Sequence, residues 1–251
     1  MKVSIITAVR NGARDIRATL TSVEAQDYPE IEHVVVDGAS TDGTADVVRR
    51  EGRRVTRLLS EPDHGVYDAF NKGLGLATGD IVAYLNAGDR YIGTDVIRRV
   101  AGQFESLGIE AVFGDLLITE QGQPEKVLRH YRSGKFSPPR LGWGLMPAHP
   151  TLFVRREAYA RTGGYDTSYR IAGDFELCVR LFIGEGISYA YLPEVLVSMP
   201  RGGLSNSGWR SMWTITQEMH RACREHGIST SYPQLLARLT MKLPEVLFRD
   251  H

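Results

Sequence analysis

The sequence predicts an α/β protein with a mostly parallel central sheet, helices on its faces and further helices at the C-terminus. Two observations carry this. Strand-like and helix-like segments alternate through the first 110 residues, an order that implies parallel strands joined by right-handed crossovers. The strand-like segments are short apolar runs bounded by turn residues, as in buried strands. Residues 3–9 form an apolar, β-branched run; residues 15–26 carry Ile16, Leu20 and Val23 at helical spacing; residues 33–37 read as the second strand. Asp42 and Thr44 supply turn and capping groups for a helix ending near Arg50. A strand over 55–59, a helix over 67–77, a strand over 81–85 and a helix over 94–106 complete this half.

Beyond residue 110 the rhythm changes. A strand over 111–119 and a return over 127–131 make a hairpin. Pro138 and Pro139 break any element. A strand is expected over 151–155, a helix over 175–183 and a strand over 187–197 that contains Pro193. Residues 201–208 are rich in glycine and serine. Two helices, 209–226 and 232–248, end the chain, the second interrupted at Pro244. One domain over 1–207, with a nucleotide half first, to about 110, and a second half after it, and a helical extension over 208–251 are expected.

Composition narrows the function. The 251 residues hold 30 basic and 30 acidic side chains, a net charge of zero, which argues against a nucleic-acid-binding surface. Cys178 and Cys223 have no metal-ligand or redox spacing, so a reduced, cytoplasmic setting is expected. No apolar run approaches the ~20 residues that span a bilayer.

The chemistry-bearing residues gather after strands. The run ending at Leu85 gives way to Asn86-Ala87-Gly88-Asp89, at the carboxyl edge where open α/β sheets bind ligands. A lone hard-oxygen ligand there suits Mg²⁺ or Mn²⁺, which take other ligands from water and substrate phosphates; a strand-ending turn with a solvated Asp is the plain alternative. Asp37 ends the second strand and can accept hydrogen bonds from a base or ribose, with Gly38 letting a ligand approach. In 63–73, Asp68, Asn71 and Lys72 share a helical face. Lys72 can meet a phosphate or only pair with Asp68. No dinucleotide fingerprint exists: Gly73, Gly75 and Gly79 have the wrong spacing and lie at a helix end.

Together these segments resemble the inverting glycosyltransferase family 2, with its GT-A fold. The marks are 4–11, 36–44, 63–73 and 85–89, then Gly163-Gly164-Tyr165-Asp166 and 172–177. The stretch 68–73 is most similar to the branch of colanic-acid-type and mycobacterial glycolipid glycosyltransferases. The resemblance implies a nucleotide-sugar donor (UDP-, GDP- or dTDP-linked) and a glycan or lipid-linked acceptor hydroxyl. It places Thr7, Val9, Asn11 and Asp37 around the nucleoside, Asn86, Ala87 and Gly88 in the DxD-like turn, and Asp89 on a divalent metal. Asp174 matches the general base. Asn86 and Gly88 stand where many relatives have acids, and Gly173 where many have Glu.

The chemistry agrees. Inverting transfer needs a hydroxyl deprotonated as it attacks, which a carboxylate does without a covalent intermediate. The departing diphosphate gathers charge that a divalent cation with Lys or Arg offsets. Asp174 and Glu176 point in different directions on a helix, and Asp174 is taken as the base; helix capping is its plainer role. His149 and Trp143 are candidates for acceptor or diphosphate contact, against structural roles for both. Arg201 either meets phosphate from a lid or sits in a linker. Competing functions are a nucleotidyltransferase, which would want a more basic glycine loop than Arg10-Asn11-Gly12, and a silent sugar-nucleotide binder. The stripe Leu235, Leu236, Leu239, Leu243, Val246, Leu247 and Phe248, beside Arg238, Lys242 and Arg249, fits packing on its own domain or in a homodimer, or peripheral contact with the inner membrane face.

Overall fold

The apolar run of the second strand shows how the sheet is covered. In β2 (Ile31–Asp37), Val34 and Val36 pack on one face with α3 (Val66–Leu76), while Val35 packs on the other with α1 (Ile16–Glu24) and α2 (Thr44–Glu51). Successive side chains point to opposite faces, so a strand covered on both sides must be apolar throughout. The computed structural model describes residues 1–202 and 209–241.

Strands β1 (Val3–Val9), β2, β3 (Val55–Ser60) and β4 (Ile81–Tyr84) are parallel in the order β3-β2-β1-β4. The sheet then continues through β8 (Phe153–Arg155), β6 (Ala111–Glu120), β9 (Tyr189–Pro200) and β5 (Arg90–Tyr91), while β7 (Gln123–Tyr131) pairs with β6 as the expected hairpin. Strand β8 runs antiparallel to both β4 and β6, and β6 runs parallel to β9. Pro193 falls where the β6–β9 register skips from Tyr191 to Val195, so its missing N–H breaks no ladder bond.

Helix α4 (Val96–Leu107) covers β1 and β4 from the second face through Val96, Ile97, Val100 and Phe104. Two elements were not readable in advance. β5 has two residues, too few for a pattern, and α5 (Arg156–Thr162) buries only Ala158 and Tyr159. The helix expected over 175–183 starts earlier, as α6 (Gly173–Val179), and passes into a π-helical turn, Arg180–Gly184. Helices α7 (Trp209–Glu225) and α8 (Tyr232–Met241) place Met219, Ala222, Cys223 and Leu235 in the same core cluster as Phe175 and Cys178.

Of the terminal stripe, Leu235 is buried and Leu239 exposed. Arg238, expected among the basic residues beside it, is itself buried and donates to the Leu235 carbonyl and to Thr216 Oγ1 on α7. Lys242, Leu243, Pro244, Val246, Leu247, Phe248 and Arg249 lie outside the described residues. Among the described residues no helix is long and apolar enough to cross a membrane.

Opposite the carboxyl edge, Glu32 is 3% exposed. It accepts from Ser4 Oγ at 2.5 Å, Thr78 N–H at 2.7 Å, Thr78 Oγ1 at 2.8 Å and Lys2 Nζ at 3.0 Å. Burial pushes its carboxyl up, but these bonds outweigh it and hold the group at about 2. A depressed carboxyl contributes stability that is present above its unfolded value and lost as pH falls toward 2. Glu32→Gln is expected to cost about 3 kcal/mol at pH 6 and much less at pH 2. Urea unfolding of both proteins at both pH values checks this; an equal difference at both would contradict it.

Candidate active site

The carboxyl ends of β1, β2, β3 and β4 meet at one edge, and Val9, Asp37 and Ser60 stand in register there. Asp37 is fully buried. Its Oδ2 accepts from Ser60 Oγ at 2.6 Å and from the Ser40 N–H at 3.2 Å. Its Oδ1 is buried with no partner in the protein. A buried acceptor left unpaired is costly, so Oδ1 is a natural receptor for a ligand N–H or O–H.

The neighbouring loops are tied to each other. Asn11, at φ 50°, donates its N–H to Ser40 Oγ at 2.7 Å and accepts the Thr41 N–H on Oδ1 at 2.9 Å. The Val9 carbonyl accepts the Gly38 N–H at 2.9 Å, and the Val9 side chain packs with Ile16 and Leu20. Thr7 is buried, donates to the Leu85 carbonyl at 2.8 Å and lies 2.9 Å from His33 Nε2. Gly43, not Asp42, takes the cap position of α2; Asp42 sits one residue ahead and accepts the Thr44 N–H.

The turn after β4 is fastened by Thr19 of α1, a residue the sequence patterns did not single out. Its hydroxyl accepts the Gly88 N–H at 3.0 Å and donates to the carbonyls of Asp89, at 2.7 Å, and Asn86, at 3.1 Å. Gly88 has φ 99°, which explains glycine where an acid was looked for: a side chain would be strained there. Ala87 is partly buried beside it. Asp89 is buried, and burial pushes its carboxyl up to about 8. Asp89 Oδ2, Asn86 Oδ1 and the Tyr91 hydroxyl are all buried without partners. Such a set suits a cation bound by one carboxylate. Among the described residues no group of three His, Cys, Asp or Glu could hold a metal, so the remaining ligands would come from a diphosphate and water.

The polar residues of the motif over 63–73 are tied into the fold. Asn71 bonds twice to the backbone of Tyr165, donating to its carbonyl at 2.8 Å and accepting its N–H at 2.7 Å. Tyr165 stacks on Tyr67, with ring centroids 5.5 Å apart. Asp68 accepts the His64 N–H at 3.0 Å. Lys72 is held by its own loop, 2.7 Å from the Pro62 carbonyl, 2.9 Å from Glu61 and 3.4 Å from Asp68. His149 packs between Phe70 and Tyr84, its Nε2 lies 2.7 Å from the Tyr165 hydroxyl, and burial lowers it to about 4, so it is neutral. Trp143 is 42% exposed rather than in the core. Arg201 is exposed and anchored through its N–H to the Thr119 carbonyl at 2.7 Å.

A cavity of about 630 Å³ opens between the 64–68 segment, residues 167–171, and Arg210, Ser211 and Thr214 of α7. Its volume is that of a small-ligand site. Asp174 follows this wall in the first turn of α6, and its Oδ1 accepts the Phe175 N–H at 2.8 Å. The cap is Ala172, not Asp174. Glu176 is buried and occupied, bonded by both oxygens to Arg180 at 2.6 and 2.7 Å. Gly173 also has a reason: a Cβ there would lie 2.8 Å from the Tyr67 ring, so the larger side chain of many relatives does not fit beside this tyrosine.

Comparison with known proteins identifies the family and the fold. Residues 4–163 match the model of glycosyl transferase family 2. A PGL/p-HBAD biosynthesis glycosyltransferase of Mycobacterium bovis is 32% identical over 213 residues, covering 81% of this chain and 79% of its own. An uncharacterized glycosyltransferase of Mycobacterium tuberculosis is 32% identical over 186 residues, covering 71% and 68%. S. aureus TarS 1-349 superimposes with a TM-score of 0.70 at 16% identity over 96% of this chain and 72% of that one. The mannosyltransferase PcManGT of Pyrobaculum calidifontis, solved with GDP-Man and Mn²⁺, superimposes with a TM-score of 0.62 at 21% identity over 99% and 81%. Both structures share the GT-A fold, and the chain belongs to glycosyl transferase family 2, as a glycosyltransferase.

Proposed function

We propose that this glycosyltransferase moves a sugar from a nucleoside-diphosphate donor to an acceptor hydroxyl with inversion, Asp174 acting as the base. The observation that carries the reading is the pair of orphaned buried carboxylate oxygens, Asp37 Oδ1 and Asp89 Oδ2, at the carboxyl edge of the parallel strands, in a chain that also holds a ligand-sized cavity. Asp37 receives the nucleoside. Asp89, with Asn86 beside it, would hold a divalent cation, which when bound offsets charge on the departing diphosphate. The acceptor enters the cavity, where Asp174 takes the proton of its hydroxyl as that oxygen bonds to the anomeric carbon. Solved neighbours were crystallised with UDP-GlcNAc and with GDP-Man and Mn²⁺, which supports a nucleotide sugar as donor.

The test is a melting-temperature panel of UDP-, GDP- and dTDP-sugars with Mn²⁺. A ligand that binds only the native state raises the midpoint, by about 2.7 kcal/mol of stability at a hundredfold excess over Kd. One nucleotide series is expected to do so. No shift from any would contradict the reading.

A further inference from the structure

Asp174 is launched from a turn secured by two side chains far away in sequence. The N–H groups of Arg170, Ile171 and Ala172 all converge on Glu218 of α7. Arg170 donates to Oε1 at 2.9 Å; Ile171 and Ala172 donate to Oε2 at 2.9 and 2.7 Å. The next amide, that of Gly173, donates to the Tyr67 hydroxyl at 2.9 Å, and this hydroxyl donates to the Ile171 carbonyl at 2.5 Å. Four consecutive amides ahead of Asp174 are thus held by two side chains. Convergent backbone N–H groups form an anion-binding concavity, and hydrogen bonds to a carboxylate are about twice as strong as neutral ones.

Placement gives this turn its meaning. Arg170 and Ile171 line the cavity, as do Tyr67 and, from α7 itself, Arg210, Ser211 and Thr214. Tyr67 stays protonated: burial and the charge of Asp174 both push its hydroxyl up. Helix α7 and Asp174 both lie beyond the residues that match the family model, so Glu218 holds the turn from outside the matched segment while Tyr67 holds it from within.

We infer that Glu218 is a positioning residue that sets the orientation of Asp174 by holding the 170–172 amides, making α7 part of the catalytic unit. This rests on the reading of Asp174 as base. A misplacement of about 1 Å in a reacting group can cost about 10²-fold in rate, so loosening this turn acts on turnover before it acts on donor binding.

The experiment uses the full chain with Glu218→Ala and the isosteric Glu218→Gln, which keeps the volume at 218. The probe is whichever UDP-, GDP- or dTDP-sugar most stabilises the wild type. Donor turnover gives kcat, and calorimetry gives the donor Kd. Both variants are expected to lose about 10- to 100-fold in kcat, with donor Kd changed by less than about threefold. Wild-type kcat in Glu218→Gln, or kcat and donor affinity falling together in both variants, overturns the inference. Asp174→Asn is measured alongside. If it is inactive while Glu218→Gln is fully active, only the positioning role fails; if it turns over normally, the base assignment itself fails.

Discussion

Asn in place of Asp174 lowers transfer by about 10²- to 10⁴-fold, the usual loss when a general base is removed, and leaves donor affinity nearly unchanged. The separation follows from where the residue sits. Asp174 belongs to the first turn of α6, next to the wall of the cavity, whereas the orphaned oxygens of Asp37 and Asp89 lie at the sheet edge. The nearby acid cannot substitute, because Glu176 is buried in a two-point bond with Arg180. Asn keeps the size of the side chain and one acceptor for the Phe175 N–H, so the turn survives. Steady-state turnover with a separate calorimetric donor titration checks both halves. Near-wild-type turnover would remove Asp174 from the mechanism.

Asp89→Ala weakens donor binding in the presence of Mn²⁺ and abolishes the difference that Mn²⁺ makes. Loss of an outer-shell partner of a metal ligand costs about 10- to 100-fold in affinity, and loss of the one acid in this turn should cost at least that. Folding is not the confounder. Burial pushes the Asp89 carboxyl up to about 8, so its ionised form is less stable in the native state than in the unfolded chain, and removing it relieves that cost. Thr19 still fastens the turn through backbone groups of 86–89. UDP and GDP titrations of both proteins, with and without Mn²⁺, make the comparison. Equal affinities in every arm would exclude a metal role for Asp89.

The sequence carried the parallel half of the fold because buried strands and amphipathic helices leave local periods. It also carried the strand-end acids: Asp37 and Asp89 follow apolar runs, and such positions fall at the carboxyl edge whatever the tertiary detail. What it did not carry is the set of contacts made across long separations. Thr19 reaches Asp89, and Glu218 reaches Arg170, yet neither belongs to any local pattern. The two departures from the family pattern were visible as letters but not as physics. Gly88 answers to a backbone angle, and Gly173 to the ring of a tyrosine over a hundred positions away. For Trp143 the sequence left open a sugar contact or a place in the core, because size and apolarity favour burial; it ends the 3₁₀ turn Pro138–Trp143 and is 42% exposed, while Leu141 and Gly142 of that turn are buried.

The account turns on direct attack by an activated hydroxyl at the anomeric carbon, with Asp174 holding the proton. Water in place of the acceptor reports on this step without knowledge of the natural acceptor. Proton NMR during the first turnovers of donor hydrolysis, before the free sugar equilibrates, reads the anomeric configuration of the released sugar. The account predicts the configuration opposite to that of the donor, at a rate that falls with Asp174→Asn. Release of the same anomer as in the donor would contradict it.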